Sequence, residues 1–209
     1  MSTDSVERRY RGESVDARRA DRHCRFLDAA LSEFTEVGYA TTSVTSICRA
    51  AGLSRRQFYE LFADREALLL DLYAKIQSDA RDAVTRALEE CESREDGVLA
   101  ATAMAAYMQS VGTDPRRAEV SFVQIVGVSP EVEQRRFDGR QVWADFFTAT
   151  AARFTPGRVV DPERERFVTI GFIGALTSVV HRWSTSSPRP EPEAVAAILA
   201  DILLAFVDL

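Results

Sequence analysis

The chain has 209 residues, 46% of them apolar and 28% charged. That suits one large domain or a small module fused to a larger one, and it excludes an intrinsically disordered chain. The net charge of −6 excludes a partner attracted by overall positive charge, but eleven arginines balance eleven acidic residues over 1–66, and the remainder carries the deficit with 15 basic against 21 acidic. A neutral segment can still present a local basic face, and local charge is what a polyanion meets. Cys24, Cys48 and Cys91 are widely spaced with no C-x-x-C pair, so neither a disulfide framework nor a zinc site is expected. Helical spacing puts Cys24 and Cys48 in apolar stripes as small buried residues. Met1–Gly12 is polar and Arg-rich without an apolar core, unlike a signal peptide. The longest apolar tract, at the C-terminal end, is interrupted by Asp201. No membrane span is expected, and a cytoplasmic location follows.

Strand signals are almost absent and a 3.6-residue period recurs, which predicts an all-α fold of about nine helices. Residues 1–13 read as a disordered arm. A first helix is expected from Asp16 to Val37, with Cys24, Leu27, Leu31 and Phe34 as its buried stripe and Gly38 as its C-terminal cap. Two short helices follow, Ser43–Ala51 and Arg55–Phe62, separated at Gly52, with Ser54 as the second N-cap. Asp64 caps a long helix reaching Cys91. Further on, Asp114-Pro115, Ser129-Pro130 and Asp161-Pro162 each set a capping side chain before a proline at the first helical position. They predict helices at 96–111, 115–126, 131–154 and 162–184, and Pro188, Pro190 and Pro192 announce a last one at 193–207.

The informative stretch is Thr42 to Phe62. A tight turn between its helices needs a residue that accepts positive φ, and Gly52 does so without a Cβ penalty. Cys48 and Ala51 are small enough for the close crossing, and Ile47, Leu53, Phe58 and Leu61 lock the pair onto the first helix. Arg55, Arg56 and Gln57 are left on the exposed first turn of the second short helix. In a helix-turn-helix that turn enters the major groove, where Arg pairs bidentately with guanine and Gln with adenine. By spacing alone an ordinary helical hairpin is the better reading, because short helix-Gly-helix units are common, and Ser54-x-x-Gln57 is also a capping box.

Resemblance separates these readings. Residues 26–73 closely resemble the DNA-binding domain of the tetracycline-repressor (TetR) family. The match is carried by the AAL-x-x-F run of the first helix, Gly38-Tyr39, Thr42-Ser43-Val44, Ile47 with Ala51-Gly52-Leu53-Ser54, Phe58-Tyr59, Phe62, and Asp64-Arg65-Glu66-Ala67-Leu68-Leu69. The resemblance implies a helix-turn-helix domain over 14–63, a helical ligand-binding and dimerisation domain over 64–209, and a homodimer on double-stranded, palindromic operator DNA. It implies base contacts from Arg55, Arg56 and Gln57 and phosphate contacts from Thr42, Tyr59 and Arg65, with Ser43 and Ser54 completing the DNA-facing set. Arg65 has a rationale of its own, since it sits at a helix N-terminus that favours phosphate. The chain departs from the family at Arg56 and Gln57, where small residues are frequent, at Leu61, where histidine is common, at Cys48, usually alanine, and at Glu60, which repels phosphate unless an arginine pairs with it.

The second half is expected to bind a small, largely apolar effector and to hold the dimer. The helix 162–184 is apolar over a wide arc (Phe167, Ile170, Ile173, Leu176, Val180, Trp183), as is the last helix, and Gly171 and Gly174 allow close approach. Ile173, Leu176, Val180, Ile198, Ile202, Leu203 and Phe206 are the candidate dimer interface. Met104, Tyr107, Met108, Phe122, Trp143, Phe146, Phe147 and His181 are the candidate ligand residues, each of which singly also reads as plain core. Two histidines are too few for a metal site, and no cofactor motif is present. The absence of a phosphate loop, a nucleophile elbow and a metal-spaced cluster argues against an enzyme. A helix-turn-helix turned into a protein-interaction adaptor is the remaining alternative.

Overall fold

In the computed structural model, residues 4–154 and 161–207 are described, and every regular element among them is helical. The helices are α1 (Asp4–Glu36), α2 (Val44–Ala51), α3 (Arg55–Tyr59), α4 (Arg65–Glu90), α5 (Asp96–Gly112), α6 (Pro115–Glu119), α7 (Pro130–Phe154), α8 (Pro162–Ser184) and α9 (Pro192–Val207), with a π turn, Val120–Gln124, after α6. The chain divides into two units, Met1–Leu72 and Tyr73–Leu209.

In the first unit α1 buries Phe26, Leu27, Ala30 and Phe34. The stripe is centred between Leu27 and Ala30, so Leu31 falls on its margin, half-buried, and Cys24, expected inside, is exposed. Cys48 is buried as expected, and burial pushes its thiol up, away from a reactive thiolate. The backbone of α1 is helical from Asp4, where a disordered arm was expected over 1–13. Residues 1–3 lie outside the described residues. Between Asp4 and Asp16 the sequence has no proline and one glycine, so its backbone chemistry does not stop a helix.

The two short helices are defined by their caps. Ser43 and Ser46 form a reciprocal capping box at α2, and Ser54 and Gln57 form another at α3. Gly52 closes α2 at φ 63°, with its N–H donating to Arg49 O at 3.2 Å and Leu53 N–H to Cys48 O at 3.0 Å. These bonds satisfy the last carbonyls of α2 within the turn. Phe58 on α3 is fully buried, edge-on to Phe26 at 5.3 Å, and Phe62 stands edge-on to Phe26 at 6.0 Å. α3 ends at Tyr59 rather than Phe62 because Leu61 and Phe62 both donate to Phe58 O at 2.9 Å, which tightens the last turn. Asp64 then caps α4 by accepting from Ala67 N at 2.8 Å.

In the second unit the three capping prolines fall where the sequence puts them. Asp114 accepts from Arg116 N at 3.1 Å, Ser129 from Val132 N at 3.1 Å, and Asp161 from Glu163 N at 3.1 Å. α5 packs along α9, bringing Ala100, Ala103 and Ala106 into the same core as Val195, Ala196, Leu199 and Ala200. Small side chains let helix axes approach closely. The single helix expected at 115–126 is instead α6 followed by the π turn, where Ile125 N–H reaches back five residues to Val120 O at 3.2 Å.

The stability of the first unit should rest heavily on Phe58. Phe58→Ala removes an aromatic that contacts Phe26 and Phe62, and is expected to cost about 3–5 kcal/mol. Urea unfolding followed by far-ultraviolet circular dichroism measures that loss.

Candidate functional site

The first unit presents the first turn of α3 to solvent. Arg55 is exposed, with its guanidinium 6.0 Å from the ring centre of Tyr59, itself half exposed. Arg56 is exposed and pairs with Glu60 one turn on, Nε to Oε1 at 3.3 Å. Glu60 also lies 4.0 Å from Arg22 of α1. Its charge is therefore shared between two guanidiniums, the pairing that a carboxylate beside a polyanion requires. Gln57 is half-buried and committed to its cap: its Oε1 accepts from Ser54 N–H at 2.9 Å and from the Ser54 hydroxyl at 3.0 Å. Only its amide N–H groups remain for a base edge. Ser43 and Ser54 are exposed caps, so each stands at the N-terminal, positive end of its helix.

The residues implied to touch phosphate lie in different surroundings. Thr42 is 2% exposed, and its hydroxyl donates to Gly38 O at 2.8 Å and Glu33 O at 3.1 Å, holding the loop to the end of α1. The Arg65 guanidinium donates to the Thr42 carbonyl and lies 4.2 Å over the Tyr39 ring. Burial pushes the Tyr39 phenol up, against the lowering effect of that guanidinium. Arg65 therefore joins loop to helix as well as adding charge.

Sequence reading missed Arg25, whose guanidinium donates to Ala51 O at 2.7 Å and Gly52 O at 3.3 Å and ties the α2–α3 turn to α1. A Cβ at Gly52 would stand 3.1 Å from Arg25 Nη2, a contact the guanidinium would have to yield to, so the positive φ is the firmer requirement for glycine. Also missed was His23, 2.5 Å from Asp71 and stacked on Phe62 at 5.5 Å. The only signal was their place on α1, where periodicity names a face but not its partners.

Two cavities are formed by the described residues of the second unit. The larger, about 170 Å³, is walled by Leu99, Ala103, Phe147, Val168, Phe172 and Phe206, with Arg164, Glu165 and Thr169 among its polar members. The smaller, about 30 Å³, includes Tyr107, Phe122 and Trp143 in its wall. The expected ligand residues are thus divided. Phe147 lines the larger cavity, and Tyr107, Phe122 and Trp143 line the smaller one. Met104 and Met108 are buried along α5, and Phe146 packs on Trp143 and Phe147 at 5.5 and 5.7 Å; none of the three lines either cavity. His181 is exposed, with Nδ1 2.7 Å from the Phe122 carbonyl.

The expected interface set divides as well. Ile173, Leu176 and Val180 are buried inside the unit itself, so in this conformation they are not available to a second copy. Leu203 and Phe206 line the larger cavity, Ile202 is half-buried, and Ile198 is 51% exposed. On α8 the exposed apolar residues are Phe167 at 70% and Ile170 at 45%, two of the three members of the arc left out of that set; the third, Trp183, is buried. Among the described residues no group of three or more His, Cys, Asp or Glu side chains could hold a metal ion, and no helix is long and apolar enough to cross a membrane.

Residues 26–72 match the family model of bacterial regulatory proteins of the tetR family, a span that begins inside α1 and runs through both short helices into α4. Over these residues the chain carries the DNA-binding segment of a tetR-family regulatory protein. Its α2–α3 unit is the helix-turn-helix of a DNA-binding transcription regulator. The fold as a whole is similar to that of the fatty acid degradation regulator FadR from Bacillus halodurans (17% identity over 88% of this chain and 94% of that one, TM-score 0.73). It is also similar to FadR from Bacillus subtilis, solved in complex with stearoyl-CoA (16%, 88% and 98%, 0.69), and to the TetR-family regulator PfmR from Thermus thermophilus (22%, 87% and 97%, 0.60). No curated protein matches the chain.

Charge at the reading turn sets the first tests. Glu60→Gln removes an acid from beside Arg56, and should raise the regulator's affinity for any duplex and steepen its salt dependence by up to about one unit of log–log slope. Arg65→Ala should weaken binding to all sequences and also lower the melting temperature, since it frees the Thr42 carbonyl. Arg65→Lys should restore the charge but not the stack on Tyr39. Mobility shifts across a salt series, with a thermal melt of each variant, check these outcomes.

Proposed function

We propose that the regulator is a homodimeric repressor that binds a palindromic operator and is released by a small, largely apolar effector held in its second unit. We further read it as acting in the cytoplasm, and not as an enzyme. The observation that carries the effector reading is the larger cavity: a volume of about 170 Å³ inside the helical unit. Cavities of roughly 150 Å³ lined by apolar side chains stay dry and admit a benzene-sized guest. The cavity in this conformation therefore suits an aromatic ring or a short alkyl chain. The B. subtilis FadR of similar fold carries stearoyl-CoA, which favours an acyl or similarly apolar body here too. Binding releases DNA only if the effector prefers a conformation whose reading heads no longer match successive major grooves. α4 is one continuous helix from Arg65 to Glu90. It supplies Leu68, Leu69 and Leu72 to the core of the first unit and Leu88 to the cavity wall, so it is the natural lever.

Direct readout rests on Arg55 and Arg56, with Gln57 contributing its free amide hydrogens. Arg55→Ala or Arg56→Ala should relax sequence preference at one position at a cost of roughly 1–3 kcal/mol, read by mobility shift on single-base operator variants. Unchanged affinity and preference in both variants would remove the base-contact assignment.

The dimer face on this reading is the exposed side of α8 and α9, with Phe167, Ile170 and Ile198 as its apolar members. At Gly174 a Cβ would meet nothing within 4 Å, which leaves room for a second helix to approach. Ile198→Glu is expected to give folded monomers that have lost operator binding, because a dimer would bury the new charge unpaired. A dimer of unchanged stability by sedimentation would place the interface elsewhere.

Val168→Phe fills the larger cavity from its own wall. It should abolish the response to apolar compounds in a mobility shift while operator binding and the melting temperature stay near wild type. DNA release by the same compounds in this variant would remove the cavity from the mechanism.

A further inference from the structure

The smaller cavity differs in chemistry from the larger. Its wall contains no acidic residue, and its polar members are rich in donors: Tyr73, Gln77, Tyr107, Ser121, Arg136 and Arg140. Gln77 is 6% exposed, and its side-chain carbonyl is occupied by the Trp143 indole N–H at 2.7 Å. What Gln77 has left to offer is its amide N–H groups. Thr177, also in the wall, already donates to Ile173 O at 2.7 Å.

Ser121 is the decisive residue. It is 3% exposed, and its hydroxyl has no hydrogen-bond partner. Other buried or half-buried helical hydroxyls of this unit, Thr150, Thr169, Thr177 and Ser184, return to the carbonyl four residues back. Ser121 lies in the π turn, where that ladder is interrupted, and π turns gather at functional sites. Leaving a buried hydroxyl unpaired forfeits its hydration without return, so its position in a cavity wall points to a guest that accepts its proton.

The surrounding charge gives the guest its sign. Arg136 is paired with Glu133 at 2.7 and 2.8 Å, and Arg81 lies over the Trp143 ring at 5.5 Å. Arg140 is exposed and takes part in the wall. Three guanidiniums thus flank this end of the unit, with Glu133 pairing one of them. Burial pushes the phenols of Tyr73 and Tyr107 up, so both stay protonated and able to donate. A volume of about 30 Å³ exceeds the roughly 10–15 Å³ that one water needs and suits a carboxyl group.

We propose that the small cavity formed by α4, α5, the π turn, α7 and α8 is a carboxylate-binding site, and that the regulator responds to an organic acid whose anionic head it holds. This rests on the effector-responsive reading above and names the ligand's chemical class. The carboxylate could be a free small acid or the head of a longer one whose body lies in the larger cavity. Trp143 of the small cavity and Phe147 of the large one touch at 5.7 Å, so one aromatic contact lies between the two.

The test is calorimetric titration of the full-length protein with acetate, benzoate and octanoate, and with benzamide and octanol as uncharged counterparts, at constant ionic strength. At least one carboxylate should bind tenfold or more tightly than its uncharged counterpart. Ser121→Ala and Arg140→Gln should each weaken that carboxylate about tenfold or more and leave the uncharged compound unaffected. Ser121→Ala should melt no lower than wild type, because it deletes an unpaired hydroxyl, so weakened binding could not be attributed to unfolding. Acetate binding with the same dependence on Ser121 assigns the site to a free acid, and binding of the larger acids alone assigns it to a head group. Failure of all three acids to bind, equal affinity for acid and uncharged counterpart, or wild-type acid affinity in both variants would overturn the proposal. A mobility shift separates this from the effector reading. Acid that binds through Ser121 without releasing DNA keeps the site and removes that reading, whereas DNA release by uncharged compounds alone keeps the reading and removes the site.

Discussion

The burial of Phe58 is the constraint on which the reading surface depends. α3 has five residues, far short of the length at which an isolated helix is stable in water. Its conformation is imposed from outside. Phe58 is fully buried against Phe26 and Phe62, the Ser54–Gln57 box closes its N-terminus, and Arg25 holds the preceding turn through the carbonyls of Ala51 and Gly52. Arg56 is presented outward because Phe58, two positions on and on the opposite side of the helix, points inward, and Arg55 stands exposed at the first position of the helix. Few of the contacts that place the arginines involve the arginines themselves, so the exposed residues are free to vary in identity while the scaffold beneath them stays fixed.

The same economy governs the loop before α2. Thr42, Tyr39 and Arg65 form one assembly in which a buried hydroxyl, an aromatic face and a guanidinium bind a helix end to a helix start. The resemblance implies phosphate contacts from Thr42 and Arg65, yet both already have partners within the protein. Any phosphate contact from Arg65 has to share its guanidinium with the Thr42 carbonyl. Five N–H donors allow that, and a donor already held in place loses less entropy on binding than a free arginine.

Much of this was legible in the sequence, and the divisions have physical reasons. Capping chemistry is local: Ser43, Ser54, Asp64, Asp114, Ser129 and Asp161 act within one turn of themselves, so spacing alone located the helix starts. The face of α1 was legible only to within part of a turn, because Cys24 and Leu31 sit on the margin of a stripe whose centre is fixed by Phe26 and Ala30 packing on other helices. Cavities were the least legible. The aromatic and Met residues read as a ligand box are spread between two cavities and solid core, since whether a side chain borders a void depends on how five helices meet. The α8 arc shows the same limit. Ile173 and Ile170 are equally apolar, and only the path of the neighbouring helices decides that one is core and the other surface.

On the proposed reading, the two cavities would divide the work of recognising an effector along lines that their chemistry dictates. Apolar burial yields affinity in proportion to the area removed from water, at about 25 cal/mol per Å², but it discriminates poorly between guests of similar size, a methylene being worth only about 1–3 kcal/mol of discrimination. A buried donor without a partner discriminates sharply, because a guest lacking an acceptor leaves the desolvation cost standing. An apolar void beside an orphaned hydroxyl therefore combines affinity from the first with selectivity from the second. The arrangement also suits a switch. The unpaired Ser121 hydroxyl raises the energy of the empty state, and a guest that satisfies it gains differential affinity for whatever conformation closes around it. Differential affinity between two conformations, and not tight binding as such, is what moves a regulator off its DNA.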